Sequence, residues 1–459
     1  MHGEGAAGAV QPLLRDDRGT ENRAKGGGAF TRKRDFPLNV VLFSLLADAE
    51  RHFRLGTGRL LQTLWLLNCF PKRRDGPPSK EAYRKACRKL PVALVQEAAW
   101  QTHQCARSCA DQLYDGLRVK LADGTKIIIP RTPETVKAYG LGSGRTGEAY
   151  YPQIHAGRFL DLATGTFADL NFEHGAPAER QIVLEDARRA TEPTLYLCDA
   201  GYNGMAHVYL LAQTGHHVLM ELKMGDLVES FRKSRQRSTR VRITLDRLHL
   251  KNYPQHAHLA RTTLTVRLVR TCGTSKLRSK VLLTTLLDEQ RYRWFDLVRL
   301  YVQRWRIELA FRHLKMVLRL EHIRKERLHR IRQLLWAAVM LFNLGGIIRN
   351  RLKCPELFPT KAKVKLHCFA FILDQSEPFL LAVIFPRHGQ KTDRRRRLRA
   401  MRNCWFLYEP WRLRPRICQF PPSVFVRQKA TAQKEENEKC EAIREDMRLL
   451  GIRYGQIDP

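Results

Sequence analysis

Acidic residues are scarce in this sequence: 45 Asp plus Glu stand against 81 Lys plus Arg, a formal net charge of +36 over 459 residues. Such an excess repels itself unless a polyanion shares the surface, so DNA or RNA is the expected partner. At one duplex charge per roughly 1.7 Å, +36 would neutralise at most about 60 Å, or about 18 base pairs. Long apolar runs are also lacking. The longest, Leu334 to Ile348, is interrupted by Asn343 and falls short of the roughly 20 residues of a membrane span, so no membrane association is expected. The opening Met1-His2-Gly3-Glu4 has no basic segment leading into an apolar one, so no secretory signal is expected either. Paired Cys-x-x-Cys spacings are missing. The 11 cysteines are odd in number and irregularly placed, as in the reduced thiols of a soluble intracellular chain, and His103, Cys105 and Cys109 without a second pair do not read as a zinc site. No internal repeat is visible.

Core-forming residues are ample. With 44% hydrophobic and 9% aromatic residues the chain can offset the entropy of folding, and its length has room for about three domains. Residues 1–34 read as a basic flexible arm. From Phe36 to Phe70 apolar residues recur at helical spacing, Pro71, Pro77 and Pro78 interrupt, and Ser79 stands where it would cap a further helix through Ala82, Ala86 and Leu90. That helix carries a row of cations that suits phosphate contact, or simply a solvated basic face. Residues 35–112 are therefore expected to be a helical N-terminal DNA-binding region. Beyond Leu117 short β-prone runs appear at 119–121, 127–129, 159–162 and 167–172. Helices at 178–190 and 205–213 then alternate with strands at 195–198 and 218–222, the pattern of an α/β sheet. An inserted β-rich segment is expected at about 226–277, after which the α/β pattern resumes at Val281. Two long helices, over 294–320 and 328–350, close a catalytic unit spanning 113–350. The basic region 351–459 follows. Its stretch from Lys391 to Arg416 holds ten Arg or Lys with Trp405, Phe406, Tyr408 and Trp411 interleaved, which suits DNA contact; dimerisation is the other role considered.

One helix holds an odd combination. Between Leu297 and Leu320 there are six Arg or Lys and a single carboxylate, Glu308. At 100° per residue Tyr301, Arg304, Glu308 and Lys315 share an arc of roughly 60°, while Leu300, Val302, Trp305, Ile307, Leu309, Phe311, Leu314 and Val317 make most of the remainder apolar. A polar stripe on a buried helix usually lines a site, although Arg304 and Lys315 could equally be compensating Glu308 in a structural network. Asp123 lies among β-prone runs, and Asp199 ends the strand Leu195-Tyr196-Leu197-Cys198. Acids at the ends of strands are where open α/β sheets build sites, though an Asp before Gly also reads as a turn residue. Three carboxylates from separated elements can hold two divalent ions that serve the attacking and leaving oxygens of a phosphodiester.

The segments Asp123-Gly124-Thr125, Asp199-Ala200-Gly201-Tyr202 and Tyr301-x2-Arg304-x3-Glu308-x6-Lys315 resemble the insertion-sequence DDE transposases of the insertion-sequence-four-like type. The similarity runs from about Ser79 to Asn350. It implies an α/β fold with a ribonuclease-H-like catalytic core, two Mg²⁺ ions for which Mn²⁺ can substitute, and ligation by Asp123, Asp199 and Glu308. It further implies DNA contacts by Tyr301, Arg304 and Lys315, and management of a DNA hairpin and a flipped base. Double-stranded terminal inverted repeats and target DNA are the implied partners, handled by a homodimer on paired ends in cut-and-paste movement. A bacterial, cytoplasmic, nucleoid-associated location goes with it. Trp294 or Trp305 could stack a flipped base, but both read first as core. The family pattern carries an Arg where Glu221 stands, which removes an expected backbone contact there. His155 and Asp161, six residues apart along a strand, are about 20 Å apart and read as strand and turn residues, not as an acid–base pair. The alternatives carried are a catalytically decayed DNA-binding protein and a structure-selective nuclease with the same core.

Overall fold

Among the described residues three helices come first: α1 (Leu38–Leu66), α2 (Lys80–Lys89) and α3 (Val92–Arg107). The computed structural model describes residues 36–351 apart from 67–68, 71–75, 109–112, 142, 145–146, 173–178, 224, 235, 272–279, 319, 321–322 and 324–326, and beyond them 364–367, 372–373, 396–397, 399–400 and 405–408. The expected N-terminal arm and nearly all of the basic C-terminal stretch lie outside the described residues. Ser79 caps α2 as its position predicts, accepting from the Ala82 N–H at 3.1 Å. Tyr83, Ala86 and Cys87, spaced i, i+3, i+4, turn inward, and Lys80, Arg84, Lys85, Arg88 and Lys89 stay exposed.

Strands β1 (Arg118–Ile128), β4 (Gln153–Asp161) and β5 (Phe167–Asn171) form an antiparallel set. Before β4 come the short helix α4 (Pro133–Tyr139) and a small hairpin of β2 (Ser143–Gly144) and β3 (Gly147–Glu148). Helix α5 (Glu179–Arg189) leads to β6 (Thr194–Cys198), and α6 (Met205–Gln213) to β7 (His217–Glu221). These two strands run parallel to β1. Strand order β5-β4-β1-β6-β7, antiparallel on one side of β1 and parallel on the other, is the ribonuclease-H-like arrangement expected.

The region read as a β-rich insertion is built differently from a separate module. It begins with helix α7 (Asp226–Lys233), and its strands β8 (Ser238–Thr244) and β9 (Thr263–Arg270) join the main sheet through β10 (Val281–Thr284), giving eight strands ending β7-β10-β9-β8. The physical reason is that β10 leaves a free edge, and β9 supplies Val266 and Leu268 to one sheet face and Val269 to the other. One apolar cluster fills the face under α1–α3 and the C-terminal helices α8 (Trp294–Val302), α9 (Trp305–Arg312) and α10 (Leu328–Arg351). A second cluster fills the face under α5–α7. Strands β11 (Val364–His367) and β12 (Trp405–Tyr408) pair with each other antiparallel.

Helix α10 explains the sequence's longest apolar run. By length and composition its residues 328–350 could cross a membrane, a longer run than the sequence reading allowed, but 94% of the qualifying window is buried inside the protein. Its polar residues serve backbone groups. Asn343, wholly buried, accepts from Phe167 N–H at 2.9 Å and donates to the carbonyls of Ala99 and Phe167, tying β5 to α3. Gln333 donates to the carbonyls of Cys87 and Leu90 at 2.8 and 2.7 Å, tying α10 to the end of α2. Gly346 lets the turn before β5 approach, since a Cβ there would stand 2.6 Å from Thr166 Cγ2.

Burial holds three histidines, His103, His207 and His313, neutral. His103 bonds Thr166 Oγ1 at 2.8 Å, and burial, reinforced by the Arg107, Lys120 and Arg118 cations, holds its pKa down to about 3. Burial likewise holds His207 to about 3, with Arg180 adding to it, and His313 to about 4, with Arg312 adding to it. The unfolded chain, with histidines near 6.5, therefore binds more protons than the folded one between about pH 6.5 and 4. Stability is fully present above pH 6.5 and is lost as pH falls through that window, with a slope of up to about 1.4 kcal/mol per pH unit for each histidine. Urea melts between pH 7.5 and 4.5 should show it, and His103→Gln should lower the proton uptake on unfolding by about one. A flat profile would contradict the burial of these rings.

Candidate active site

The site is assembled from neighbouring strands. Leu121 pairs with Leu197 in the parallel β1–β6 ladder, and two residues beyond that pair stand Asp123 and Asp199. Asp123 does not lie in a turn. β1 runs unbroken through Asp123 and Gly124 because Gly124 faces Gly157 on β4. A Cβ on Gly157 would come within 3.1 Å of Gly124 Cα and 3.2 Å of the Asp123 carbonyl oxygen. The glycine permits close strand approach here, and the two β-prone runs seen in the sequence are one strand. Asp199 follows β6 and accepts from Gly201 N–H at 2.8 Å, which fixes its carboxylate over the turn 200–202.

The expected long helix over 294–320 is broken. α8 ends at Val302, the N–H groups of Gln303, Arg304 and Arg306 bond carbonyls three residues back, α9 runs only over Trp305–Arg312, and a π-turn covers His313–Val317. Bonds to i−3 tighten the chain and π-turns loosen it, so the constant 100° step does not hold across this stretch. The stripe nevertheless faces β1 and β6. Tyr301 Oη donates to the Cys198 carbonyl at 3.2 Å, so the tyrosine, 8% exposed, straps α8 to the strand that leads into Asp199. Arg304 reaches Glu308 Oε1 at 2.8 Å and Asp123 Oδ2 at 3.7 Å. Lys315 Nζ donates to the Lys126 carbonyl at 2.5 Å.

The break re-aims two neighbours. Trp305, read first as core, is 52% exposed, with the Arg304 guanidinium 5.6 Å from its ring centre. Arg306 goes the other way: it is 6% exposed and donates to the Leu162 carbonyl at 3.1 Å. Nothing in the sequence distinguishes Arg306 from the other cations of this stretch. Trp294 is half-buried against the core, as expected, under the Arg237 guanidinium. Glu221, the departure from the family pattern, pairs with Lys280 at 2.8 Å. His155 and Asp161 both lie on β4, and Asp161 is buried in an ion pair with Arg118 at 3.5 Å.

Electrostatically the three acids form one neighbourhood. Burial pushes the Asp123 carboxyl up to about 7; Gly124 N–H and Arg304 pull it down, while Glu308 and Asp199 raise it further. The side chains are not packed as a closed cage, for among the described residues no three His, Cys, Asp or Glu are grouped as ligands of one ion. Their chemistry fits a hard divalent cation all the same: every donor is a carboxylate oxygen, and Asp123 and Glu308 already share one cation, Arg304.

A ribonuclease-H-like sheet with acids from β1, β6 and the C-terminal helices on a strongly cationic chain defines an enzyme class, the nucleic-acid enzymes of this fold. The transposase DDE domain family matches residues 115–344, about half of the chain, and the chain belongs to that family: it is a DDE transposase, an enzyme of DNA cleavage and strand transfer. It is 25% identical over 327 residues to the transposase InsG for insertion sequence element IS4 of Escherichia coli (strain K12), covering 70% of this chain and 72% of that protein. A cryo-EM structure of the piggyBac transposase synaptic complex with hairpin DNA aligns at a TM-score of 0.41 and 12% identity, over 85% of this chain and 81% of that one.

Proposed function

We propose that this transposase binds the terminal inverted repeats of its element as a homodimer on paired DNA ends and moves the element by cut and paste, in the bacterial cytoplasm at the nucleoid. The observation that supports this most is the convergence of Asp199 and Glu308 on Asp123, with Arg304 bridging Asp123 and Glu308. These carboxylates would hold two Mg²⁺, or Mn²⁺, which when bound activate the attacking oxygen and stabilise the leaving oxygen of a phosphodiester. Water is the first nucleophile, and the 3′-hydroxyl it liberates is the second. Arg304 keeps Asp123 and Glu308 in register and has the fork geometry to bind two phosphate oxygens. Lys315, anchored at the Lys126 carbonyl of β1 three residues beyond Asp123, contributes a point charge. Tyr301 holds the helix on the strand of Asp199, and the exposed ring of Trp305 offers a stacking surface for an unpaired base.

The test is incubation of the protein with labelled linear DNA carrying the element ends, with Mg²⁺ or EDTA, followed by a denaturing gel. Mg²⁺-dependent nicks at the element boundary and then joined products are expected. Tight binding without cutting would overturn the catalytic reading, and cutting without joined products would leave a nuclease.

A further inference from the structure

We propose that the open face of the β1–β4 ribbon, ending in Tyr150 and Tyr151, is a second binding site, for the unpaired bases of a DNA strand leaving the carboxylate site. The proposal rests on the function proposed above and adds to it a place for single-stranded DNA.

The argument begins with the register. Cross-strand partners Gly124 and Gly157, Lys126 and His155, and Ile128 and Gln153 follow one another at period two, so they share one face of the ribbon. Earlier on that face the ribbon is covered: Lys120 bonds Asp186 of α5 at 2.7 Å and Ala122 belongs to the apolar cluster under α5. Past Ala122 the cover ends. Gly124 and Lys126 are exposed, and Ile128 is 45% exposed, which is unusual for an isoleucine in the long strand next to the middle of a sheet. A cavity of about 290 Å³ opens at the head of this stretch, lined among others by Asp123, Lys126, His155, Arg158, Asn171 and Tyr202, so the face begins one residue from Asp123, whose carboxylate reaches toward Arg304 on the other side of the same strand.

At the far end stand two large aromatic side chains. Tyr150 is 67% and Tyr151 50% exposed, their rings 4.8 Å apart and edge to face. Arg131 lies 4.7 Å above the Tyr150 ring and donates to the Tyr150 carbonyl at 3.2 Å, which holds the ring with one cation already stacked on it. The Ile129 N–H bonds the Pro152 carbonyl at 3.1 Å, placing the tyrosines level with the end of β1, about 20 Å along the strand from Gly124. Exposed aromatic rings and cations along a narrow floor of glycines suit a single strand. Its bases have free π-faces to stack, whereas the bases of a duplex are already stacked on each other. The cations Lys126 and Arg131 complement its phosphates.

The experiment uses the full chain and two DNAs, a blunt duplex carrying an element end and the same duplex with a short single-stranded extension containing 2-aminopurine beyond the cut. Tyr150→Ala/Tyr151→Ala should weaken binding of the extended DNA by about tenfold, leave the blunt duplex unchanged, and abolish the 2-aminopurine quenching seen with the unaltered protein. Tyr150→Phe/Tyr151→Phe should restore both binding of the extended DNA and the quenching, since stacking needs the ring and not the hydroxyl. An unchanged melting temperature shows that the exposed positions do not bear on folding. Equal affinity of the double Ala variant and the unaltered protein for the extended DNA, or failure of Phe to restore binding, would overturn the proposal. Unaltered protein that fails to cut element ends yet shows tyrosine-dependent quenching would remove the proposed function and keep this site. Cutting with no dependence on the tyrosines would do the reverse.

Discussion

Glu308→Gln is expected to lower strand cleavage by at least about a thousandfold, roughly 4 kcal/mol of transition-state stabilisation, while leaving affinity for end DNA within about twofold. The substitution preserves volume and an oxygen that can accept from Arg304, 2.8 Å away, so the helix has no reason to move. What it removes is one negative charge from a site where burial already makes charge costly, as the Asp123 carboxyl, raised to about 7, shows. A neutral amide is a poor ligand for a hard divalent cation, and the loss falls on the chemical step rather than on binding. Cleavage by the variant within tenfold of the unaltered protein, read on the same denaturing gel, would take Glu308 out of the site. Binding reduced in parallel with cleavage would assign it instead to holding Arg304.

Arg330→Met should produce the largest loss of stability of any single change in the helical layers, about 3 to 5 kcal/mol. Arg330 on α10 forms an ion pair with Asp48 of α1, donates to Tyr83 Oη at 2.7 Å, and contacts Gln333 and Cys87 of the same buried group. Asp48 is 1% exposed. Removing the cation leaves that carboxylate buried without its opposite charge, and the Tyr83 hydroxyl at 3.3 Å is a neutral donor that does not replace it. Burial already pushes the phenol of Tyr83 well above its ordinary value against the pull of Arg330, so it offers no charge in return. Denaturant melts of Arg330→Met, Asp48→Asn and the double variant make a closed cycle, in which the double variant should recover part of what Arg330→Met loses. A loss under 1 kcal/mol for the single change would show that the carboxylate is solvated after all.

Much of the sheet was legible because its strands and crossover helices carry short, cleanly bounded signals. The stretches read at 205–213, 195–198 and 328–350 match α6, β6 and α10 to within a residue. The misses have particular causes. Asp123-Gly124 looks like a turn because glycine usually marks one, and only the facing Gly157 on a strand some thirty residues later turns it into a close contact. Helix α3 has Pro91 as its cap residue with no side-chain bond, and α7 follows Gly225 without one, so neither announces its start. The three candidate acids stand out in the sequence by spacing and by family resemblance. The exposure of Trp305 and the burial of Arg306 do not, because both follow from a helix break whose causes are hydrogen bonds to i−3 that no residue type in Gln303-Arg304-Trp305 demands.

The ion pair between Asp48 and Arg330 also sets a schedule. Its partners are 282 residues apart, and Gln333, which covers the carbonyls of α2, lies 243 residues beyond Leu90. A ribosome adding about 5 to 20 residues per second needs on the order of 15 to 60 s to make that interval. During that time α1 and α2 wait in the growing chain without the cation of Asp48 and the amide of Gln333, both of which α10 supplies. Helices made early in synthesis are thus among the last to settle. A nascent chain stopped anywhere before residue 330 carries them unfinished, as a strongly basic segment beside the nucleic acid of the ribosome that is making it.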